Sequence, residues 1–177
     1  EERTRFKSPV QYLNSEEAET YQLRIKEGYF YSRDNKVLCA GVFCEGIIVI
    51  NDKGLIYFST YSEHGKFHHS SLVSGNPVLF AGDAVFENGM LKVIDNQSGH
   101  YHPKMRAFKF LIEALQRKGI NDYMVGIPYM DPESLSKLHQ HRYFHSSEVL
   151  KLFLTAPREM SSRHLFDKRE IELLKQR

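Results

Sequence analysis

The feature that most constrains the fold is a pair of apolar runs joined by a tight turn, PVLFAGDAVFENGMLKVIDN, over residues 77–96. The Asn88-Gly89 step favours the left-handed backbone that short hairpins require. A second segment, AGVFCEGIIVINDKGLIYFST, repeats the pattern over residues 40–60. Both segments contain runs too apolar for one face to lie fully in water, so we expect covered strands. The pattern predicts six or seven short strands between about residues 28 and 102.

Helical signals flank these strands on both sides. The segment LNSEEAETYQL predicts a first helix, capped by Asn14 or Ser15, with Glu17 in the capping-box position. From Pro103, the segment PKMRAFKFLIEALQRKG predicts a second helix that ends near Gly119. Its apolar stripe consists of Met105, Phe108, Leu111, Ile112 and Leu115. A stripe of this period predicts a helix that packs one face on a core.

The end of the chain carries further helical signals. DPESLSKLHQHR predicts a helix with Asp131 as its cap. FDKREIELLKQR predicts a final helix, with Asp167 and Glu170 as a capping box and Phe166 against Ile171 as a hydrophobic staple. The segment EVLKLFL between them is compatible with either a strand or a helix.

These segments together predict an α+β fold. Its parts are an N-terminal helix, a mainly antiparallel sheet or open barrel of six to seven strands, and C-terminal helices. The length predicts a single domain over residues 1–177.

Charge and cysteine content exclude several function classes. The 24 basic and 22 acidic residues leave a net charge of +2 without a basic stripe, which argues against a nucleic-acid partner. No apolar run approaches the ~20 residues of a membrane helix, and no signal peptide is visible. Cys39 and Cys44 lie in apolar surroundings and are predicted to be a buried, reduced pair. Such a pair favours a reducing compartment and therefore a cytoplasmic chain.

Histidine and serine concentrate in KFHHSSLVSG, residues 66–75, which we call the HHSS string. If this string is extended, alternation puts His69 and Ser71 on one face and His68 and Ser70 on the other. A histidine beside a serine is suited to act as base and nucleophile, although that pairing must be made in space. The alternative is a buried histidine and serine that satisfy backbone groups at a strand end.

A related string, NQSGHYHP at residues 96–103, ends the last predicted strand; we call it the SGHY string. Its position before a helix exposes backbone N–H groups and the positive end of the helix dipole. His100 there is a candidate acid, base or anion ligand, and Tyr101 is a candidate for stacking or hydroxyl donation. The alternative is a tight turn that uses Gly99 for its conformation and Tyr101 for packing.

Asp83 is the third candidate, because a carboxylate within the apolar run FAGDAVF is costly to bury unless it is paired. It is suited to orient a histidine or bind a substrate hydroxyl; the alternative is an outward-facing residue. His100 and His102 have a spacing that puts two ligands on one strand face, but the sequence contains no Cys-x-x-Cys or His-Glu-x-x-His spacing, so we predict no metal site. It also contains no phosphate loop, dinucleotide glycine pattern or nucleophile elbow, so no cofactor is evident.

The HHSS string, the hairpin after it and the SGHY string resemble the conserved domain of plant IQ-motif-containing calmodulin-binding proteins, and also related bacterial toxin and effector domains. The resemblance runs from about Tyr12 to Asp122, which makes 12–122 a family-like core and 123–177 a variable helical tail. The family pattern falls on Phe67, His69, Ser70, Ser71, Gly75, Ala81, Gly82, Ser98, Gly99, His100, Tyr101 and Pro103. His68 and His102 fall on variable positions, and the position of Asp83 varies in charge.

The bacterial relatives imply a toxin or effector-type enzyme. It would perform group transfer or hydrolysis on a nucleotide-like or protein substrate, NAD included, in the cytoplasm of a target cell after secretion. A protein of that host or target cell is then a candidate partner. The catalytic candidates are His69, His100, Ser71 and Asp83, and the substrate-binding candidates are Ser70, Ser98, Gly99 and Tyr101.

The plant relatives imply the alternative, a non-catalytic ligand- or protein-binding module with calmodulin as a candidate partner. These 177 residues contain no Ile-Gln-x-x-x-Arg-Gly-x-x-x-Arg helix, the motif through which the plant proteins bind calmodulin. The basic amphipathic segment 104–118 is a second candidate for that contact. A third interpretation gives both strings a purely structural role and places function in the tail.

Overall fold

The computed structural model describes residues 9–99, 101–134, 140–162 and 165–176. Its strands are β1 (Arg24–Lys26), β2 (Tyr29–Tyr31), β3 (Phe43–Asn51), β4 (Ile56–Ser59), β5 (Val78–Glu87), β6 (Met90–Asp95), β7 (Met124–Met130), β8 (Gln140–His145) and β9 (Phe166–Asp167). Its helices are α1 (Ser15–Glu19), α2 (Met105–Arg117), α3 (Ser146–Thr155), α4 (Pro157–Ser162) and α5 (Lys168–Lys175), with a 3-10 helix at His69–Val73. The predicted α+β class is confirmed.

Seven of these strands form one mixed, open sheet. Its order is β4-β3-β5-β6-β7-β8, and β9 also pairs with β7. The β6–β7 and β7–β9 pairs are parallel, while the other pairs in this sheet are antiparallel. β1 and β2 form a separate antiparallel pair. The mainly antiparallel sheet was predicted, but its two parallel pairs were not.

Local signals placed the caps of α1 and α5 and the β5–β6 turn correctly. Asn88 and Gly89 adopt positive φ angles of 49° and 73° at the β5–β6 hairpin, as its Asn-Gly step predicts. In α1, the Asn14 side chain accepts from the Glu17 N–H at 2.9 Å, and the Glu17 carboxylate accepts from the Asn14 N–H. The same capping box connects Asp167 to the start of α5.

The main core lies between the sheet and the helices that follow it. The α2 stripe is buried here against the sheet, with Phe108 at 0 % exposure and in ring contact with Phe80. Apolar residues of α3, α4 and α5 complete the same cluster. This packing confirms the periodicity argument for α2. Among the described residues, every helix is too short or too polar to cross a membrane.

The prediction of a helical tail is wrong in part, because β7 and β8 both come from it. Residues 132–133 form a turn and residues 140–142 belong to β8, whereas a helix was predicted across this segment. Residues 135–139 of that predicted helix lie outside the described residues. Val125 and Ile127 of β7 are completely buried, and β7 pairs with β6 and β8. Strand pairing in the tertiary structure therefore determines the secondary structure of this region. The ambiguous EVLKLFL segment is helical in α3.

Two further expectations need correction. Among the described residues between 28 and 102 the chain forms five strands, because the segment around Val37 makes only an isolated bridge. Cys39 and Cys44 form a disulfide, with 5.8 Å between their Cα atoms, instead of a reduced pair. Both cysteines are only partly buried. The cysteines therefore give no support to a reducing compartment.

Candidate functional site

The HHSS string folds into the 3-10 helix, with His68 at its N-cap, instead of an extended strand. The alternation argument for its faces is therefore wrong. Phe67 and Leu72 are buried against the sheet face opposite the main helices, where they contact apolar residues of β3 and β5. Leu72 is 1 % exposed in this conformation, so apolar burial stabilises the folded string.

The serines of the string are buried and hydrogen-bonded within it. The Ser71 hydroxyl accepts from the His68 N–H at 3.1 Å and has 0 % exposure. The Ser70 hydroxyl lies 3.0 Å from Nδ1 of His68 and is also buried. Each bond closes a short loop of the turn, as serine hydroxyls commonly do in place of backbone pairing. The nucleophile role of Ser71 and the substrate-binding role of Ser70 stay predictions.

His69 connects the string to β5. Its Nε2 donates to the Gly82 carbonyl at 2.7 Å, and the same atom lies 3.7 Å from Oδ1 of Asp83. Because a carbonyl only accepts, Nε2 carries a proton in this contact. The structure thus brings the two candidates His69 and Asp83 together. The shorter contact of His69, however, is its hydrogen bond to the Gly82 backbone. Their catalytic roles stay predictions.

Gly82 lies where β5 approaches the chain that leaves β6. A methyl group on Gly82 would lie 1.8 Å from the carbonyl oxygen of Asp95 and 3.0 Å from Cα of Asn96. Real side chains do not tolerate such contacts, so the close approach requires glycine. Since Gly82 is also the acceptor of the His69 bond, its position fixes the distance between the HHSS string and β5.

The SGHY string packs on the same face of the sheet as the HHSS string. The Ser98 hydroxyl accepts from the Tyr101 N–H at 3.2 Å, and the Tyr101 hydroxyl donates to the Asn76 carbonyl at 2.8 Å. Tyr101 also packs against the cluster that contains Phe67 and Leu72. Burial raises the pKa of Tyr101, so its hydroxyl remains a donor. The two strings therefore meet through Tyr101 and the loop that follows the 3-10 helix.

The remaining candidates of the SGHY string differ in accessibility. Ser98 is 5 % exposed, while Gly99 is exposed and a methyl group there would meet no atom within 4 Å. His100 lies outside the described residues. Its predicted catalytic role, and the substrate-binding roles of Ser98, Gly99 and Tyr101, stay predictions.

Three polar side chains that the sequence did not single out meet around Gly126 on β7. A methyl group there would lie 3.1 Å from Asp95 and Tyr143, and 3.4 Å from His141. Asp95 accepts from the Gln97 N–H at 2.8 Å and from the Asp83 N–H at 3.2 Å. The polar group was missed because β8, which carries His141 and Tyr143, was predicted to be part of a helical tail.

Burial is the largest influence on the pKa of Asp95 and raises it above its ordinary value of 3.8. The Asp83 carboxylate raises it further, whereas the two backbone N–H bonds and the imidazole of His141 lower it. The pKa of Tyr143 is also raised, first by burial and then by the carboxylates of Asp95 and Glu45. Within the described ranges, no group of three or more His, Cys, Asp and Glu side chains suits a metal ion.

The fold and the two strings define a class: an open α+β domain in which the 3-10 helix of the HHSS string, together with Tyr101 of the SGHY string, covers one face of a mixed sheet. Residues 17–108, more than half of the chain, match the family model described as the IQ motif-containing protein middle domain. The chain belongs to this family.

Curated relatives support the assignment. The IQ domain-containing proteins IQM2, IQM3 and IQM5 of Arabidopsis thaliana are 27 %, 32 % and 30 % identical to this chain. The matched regions cover 78 %, 63 % and 63 % of this chain and 24 %, 25 % and 23 % of the relatives. The chain therefore spans about a quarter of the length of these relatives. No solved structure matches it significantly.

These comparisons correct the predicted function. The matched proteins are plant IQ domain-containing proteins, so the prediction of a bacterial toxin or effector-type enzyme is wrong. The resemblance to the plant family is confirmed, while the toxin and effector relation has no support among the relatives. The family match favours the alternative, a non-catalytic binding module.

Proposed function

We propose that this chain is a non-catalytic protein-binding module, with calmodulin as its first candidate partner. The observation that carries the proposal is the burial of the serines in both strings. Ser70, Ser71 and Ser98 have 1 %, 0 % and 5 % exposure, and each hydroxyl has a partner inside its own string. Hydroxyls in this state satisfy neighbouring polar groups and stabilise turns, which supports a scaffold role.

The scaffold positions the entry to α2. Tyr101 attaches the segment before α2 to the Asn76 loop, and the Asn96 side chain donates to the Pro103 carbonyl at 3.0 Å. These bonds orient a helix whose outer residues are available to a partner. The family strings would then contribute to binding indirectly, by holding the surface that makes the contact.

Calmodulin would have to recognise the folded surface of this domain. Segment 104–118 was a candidate for insertion into calmodulin, but its apolar stripe is buried in the main core, where Met105 and Phe108 have 0 % exposure. A helix that binds in a groove must offer its apolar face to the partner. Insertion of α2 would therefore require unfolding of the core.

Calorimetry with calmodulin tests the proposal. We expect saturable binding to calcium-loaded or calcium-free calmodulin, with the far-UV circular dichroism of this domain retained in the complex. NAD and ATP, the probes for the alternative of a small-molecule site, should leave the melting temperature unchanged. Absence of binding to both forms of calmodulin would contradict the choice of partner.

The variant Tyr101→Phe tests the scaffold role of the SGHY string. It removes the hydroxyl that donates to Asn76 and keeps the ring in its cluster. A scaffold role predicts a loss of stability of about 1 kcal/mol, with the affinity of the folded domain unchanged. A large loss of affinity without loss of stability would instead mean that the Tyr101 hydroxyl, and not only its ring, contacts the partner.

A further inference from the structure

A groove runs along α2 on the side that faces the start of β5 and the β3–β4 turn. One cleft of about 570 Å³ lies between α2 and the turn, and a second of about 430 Å³ lies toward the segment before α2. Leu79, Phe80 and Phe110 line both clefts. Because the clefts share these residues, they form one continuous surface, which we call the α2 groove.

Apolar side chains form the floor and the lip of this groove. Phe80, Leu111 and Leu115 belong to the main core and supply the floor. Phe110 and Leu79, at the lip, are 59 % and 49 % exposed. Single exposed apolar residues are ordinary, but an exposed phenylalanine and leucine above an apolar cleft are typical of an interaction surface.

The rim of the α2 groove is basic. Its charged residues are Lys53, Lys104, Arg106, Arg117, Lys118 and one acid, Asp52. Over the part of the chain that the structure describes, no ion pair uses any of the five cations. The whole chain has a net charge of only +2, so this concentration of positive charge is local.

We propose that the α2 groove binds an acidic segment of a partner protein, with bulky apolar side chains of that segment seated between Phe110 and Leu79. The inference rests on the proposed binding function and assigns it to one surface. Complementary charge steers encounter and sets the preference for an acidic partner, while the desolvated apolar anchors supply most of the affinity. An apolar floor favours a peptide over a nucleic acid, because a phosphate backbone is bound by cationic and polar groups and gains nothing from an apolar surface.

The SGHY string gives this surface its shape. Tyr101, His102 and Pro103 form one wall of the second cleft. Since Tyr101 is held by the Asn76 carbonyl, the family string connects the buried cluster to the edge of the groove. This connection explains how a string with buried serines serves a binding function.

Fluorescence anisotropy tests the inference with a labelled peptide that carries one Leu-Phe pair flanked by Asp and Glu residues. Phe110→Ser should weaken its binding at least tenfold, as loss of an interface anchor commonly does. Lys53→Glu and Arg106→Glu should each weaken binding by roughly twofold to fivefold, less at high salt. Leu154→Ser and Lys36→Glu are matched controls, because both positions are exposed and lie outside the groove.

Two control peptides define the chemistry. Lysine in place of the acids, or serine in place of the Leu-Phe pair, should abolish binding. Equal binding of the serine peptide, or equal loss in Leu154→Ser and Phe110→Ser, would overturn the inference. Displacement of the peptide by single-stranded RNA with an affinity independent of Phe110 would also overturn it, because the surface would then be a general polyanion site.

Calmodulin titrations separate the failure of this inference from the failure of the proposed function. If calmodulin binds wild type and Phe110→Ser equally and the acidic peptide binds neither, the groove inference fails and the module proposal stands. If calmodulin does not bind but the peptide binds wild type and not Phe110→Ser, the groove stands and calmodulin is excluded. Melting temperatures of all variants verify that each one is folded.

Discussion

The two faces of the central sheet are covered in different ways. On one face, α2 to α5 bury a large apolar cluster that includes Phe80, Ile94 and Phe108. On the other, the two strings bury a smaller cluster around Leu72 with the help of hydrogen-bonded histidine, serine and tyrosine side chains. The first cover consists of the α-helices α2 to α5, whereas the second is a 3-10 helix joined to loops.

The difference follows from how each cover satisfies its backbone. An α-helix pairs its own N–H and C=O groups, so its buried face needs only apolar side chains. Short turns leave backbone groups unpaired, and Ser71 and Ser98 are local partners for such groups, while His69 donates to the Gly82 carbonyl on β5. Histidine and serine in these strings are therefore what a loop-built cover requires.

The largest expected effect compares one buried residue from each cover. Phe108→Ala should lower the free energy of unfolding by about 3–5 kcal/mol, since it opens a cavity that the main core cannot fill. Leu72→Ala should cost about 2–3 kcal/mol, because loops around the smaller cluster can collapse onto the space. Urea denaturation measures both. A cost for Leu72→Ala that equals or exceeds that of Phe108→Ala would contradict the comparison.

Gly82→Ala tests the close approach of β5 to the end of β6. We expect a loss of about 3 kcal/mol, because the new methyl group would lie 1.8 Å from the Asp95 carbonyl oxygen. Gly99→Ala is the matched control, since a methyl group there meets nothing within 4 Å. Similar melting temperatures for the two variants would show that β5 and the end of β6 move apart to accommodate the methyl group without loss of stability.

Ser71→Ala tests the polar character of the string cover. The variant leaves the His68 N–H without its acceptor and should lose about 1–2 kcal/mol of stability. Ser70→Ala should lose less, because its partner is the half-buried His68 ring and not a backbone group. If Ser71→Ala is as stable as wild type in urea, hydrogen bonding does not hold the string.

The smallest expected effect is the pH dependence contributed by Asp95. Its raised pKa means that the folded state binds more protons than the unfolded chain above the ordinary value of 3.8. The free energy of unfolding should therefore fall as pH rises through the window from 3.8 to the raised pKa. Asp95→Asn removes this contribution while keeping an oxygen that accepts from the Gln97 and Asp83 N–H groups.

The measurement is the difference in unfolding free energy between Asp95→Asn and wild type at several pH values. That difference should shift in favour of the variant as pH rises through the window. Comparison of the two proteins at each pH cancels the contributions of other carboxyl groups to the unfolding free energy. One such group is Asp131, whose pKa is lowered by Lys168. A difference that does not change with pH, or that shifts toward wild type, would contradict the assignment.

Much of the fold was predictable wherever the signal lies within a few neighbouring residues. The α2 stripe, the Asn88-Gly89 hairpin and the capping boxes at Asn14 and Asp167 all appear as expected. The helix predicted over residues 131–142 is wrong at residues 140–142, because pairing of β8 with β7 overrides local helical propensity. The disulfide was missed because cysteine spacing alone does not report the direction of the side chains.

Sequence patterns singled out some of the residues that lie together here, but they did not give the geometry. His69 and Asp83 lie together, but the sequence does not reveal that His69 donates to the Gly82 backbone. Asp95, His141 and Tyr143 were missed because their meeting depends on the parallel pairing of β6 with β7. Residues that approach each other across strands leave no local periodicity.

The sequence by itself determined the buried face of α2, the caps of α1 and α5 and the β5–β6 hairpin, because each depends on backbone preferences and side-chain spacing within a few residues. Only the tertiary structure decided that the HHSS string is a turn and that its serines are buried. The reason is that the free energy of burying Phe67 and Leu72 depends on a sheet face assembled from distant strands. The same assembly leaves Phe110 and Leu79 exposed beside a basic rim.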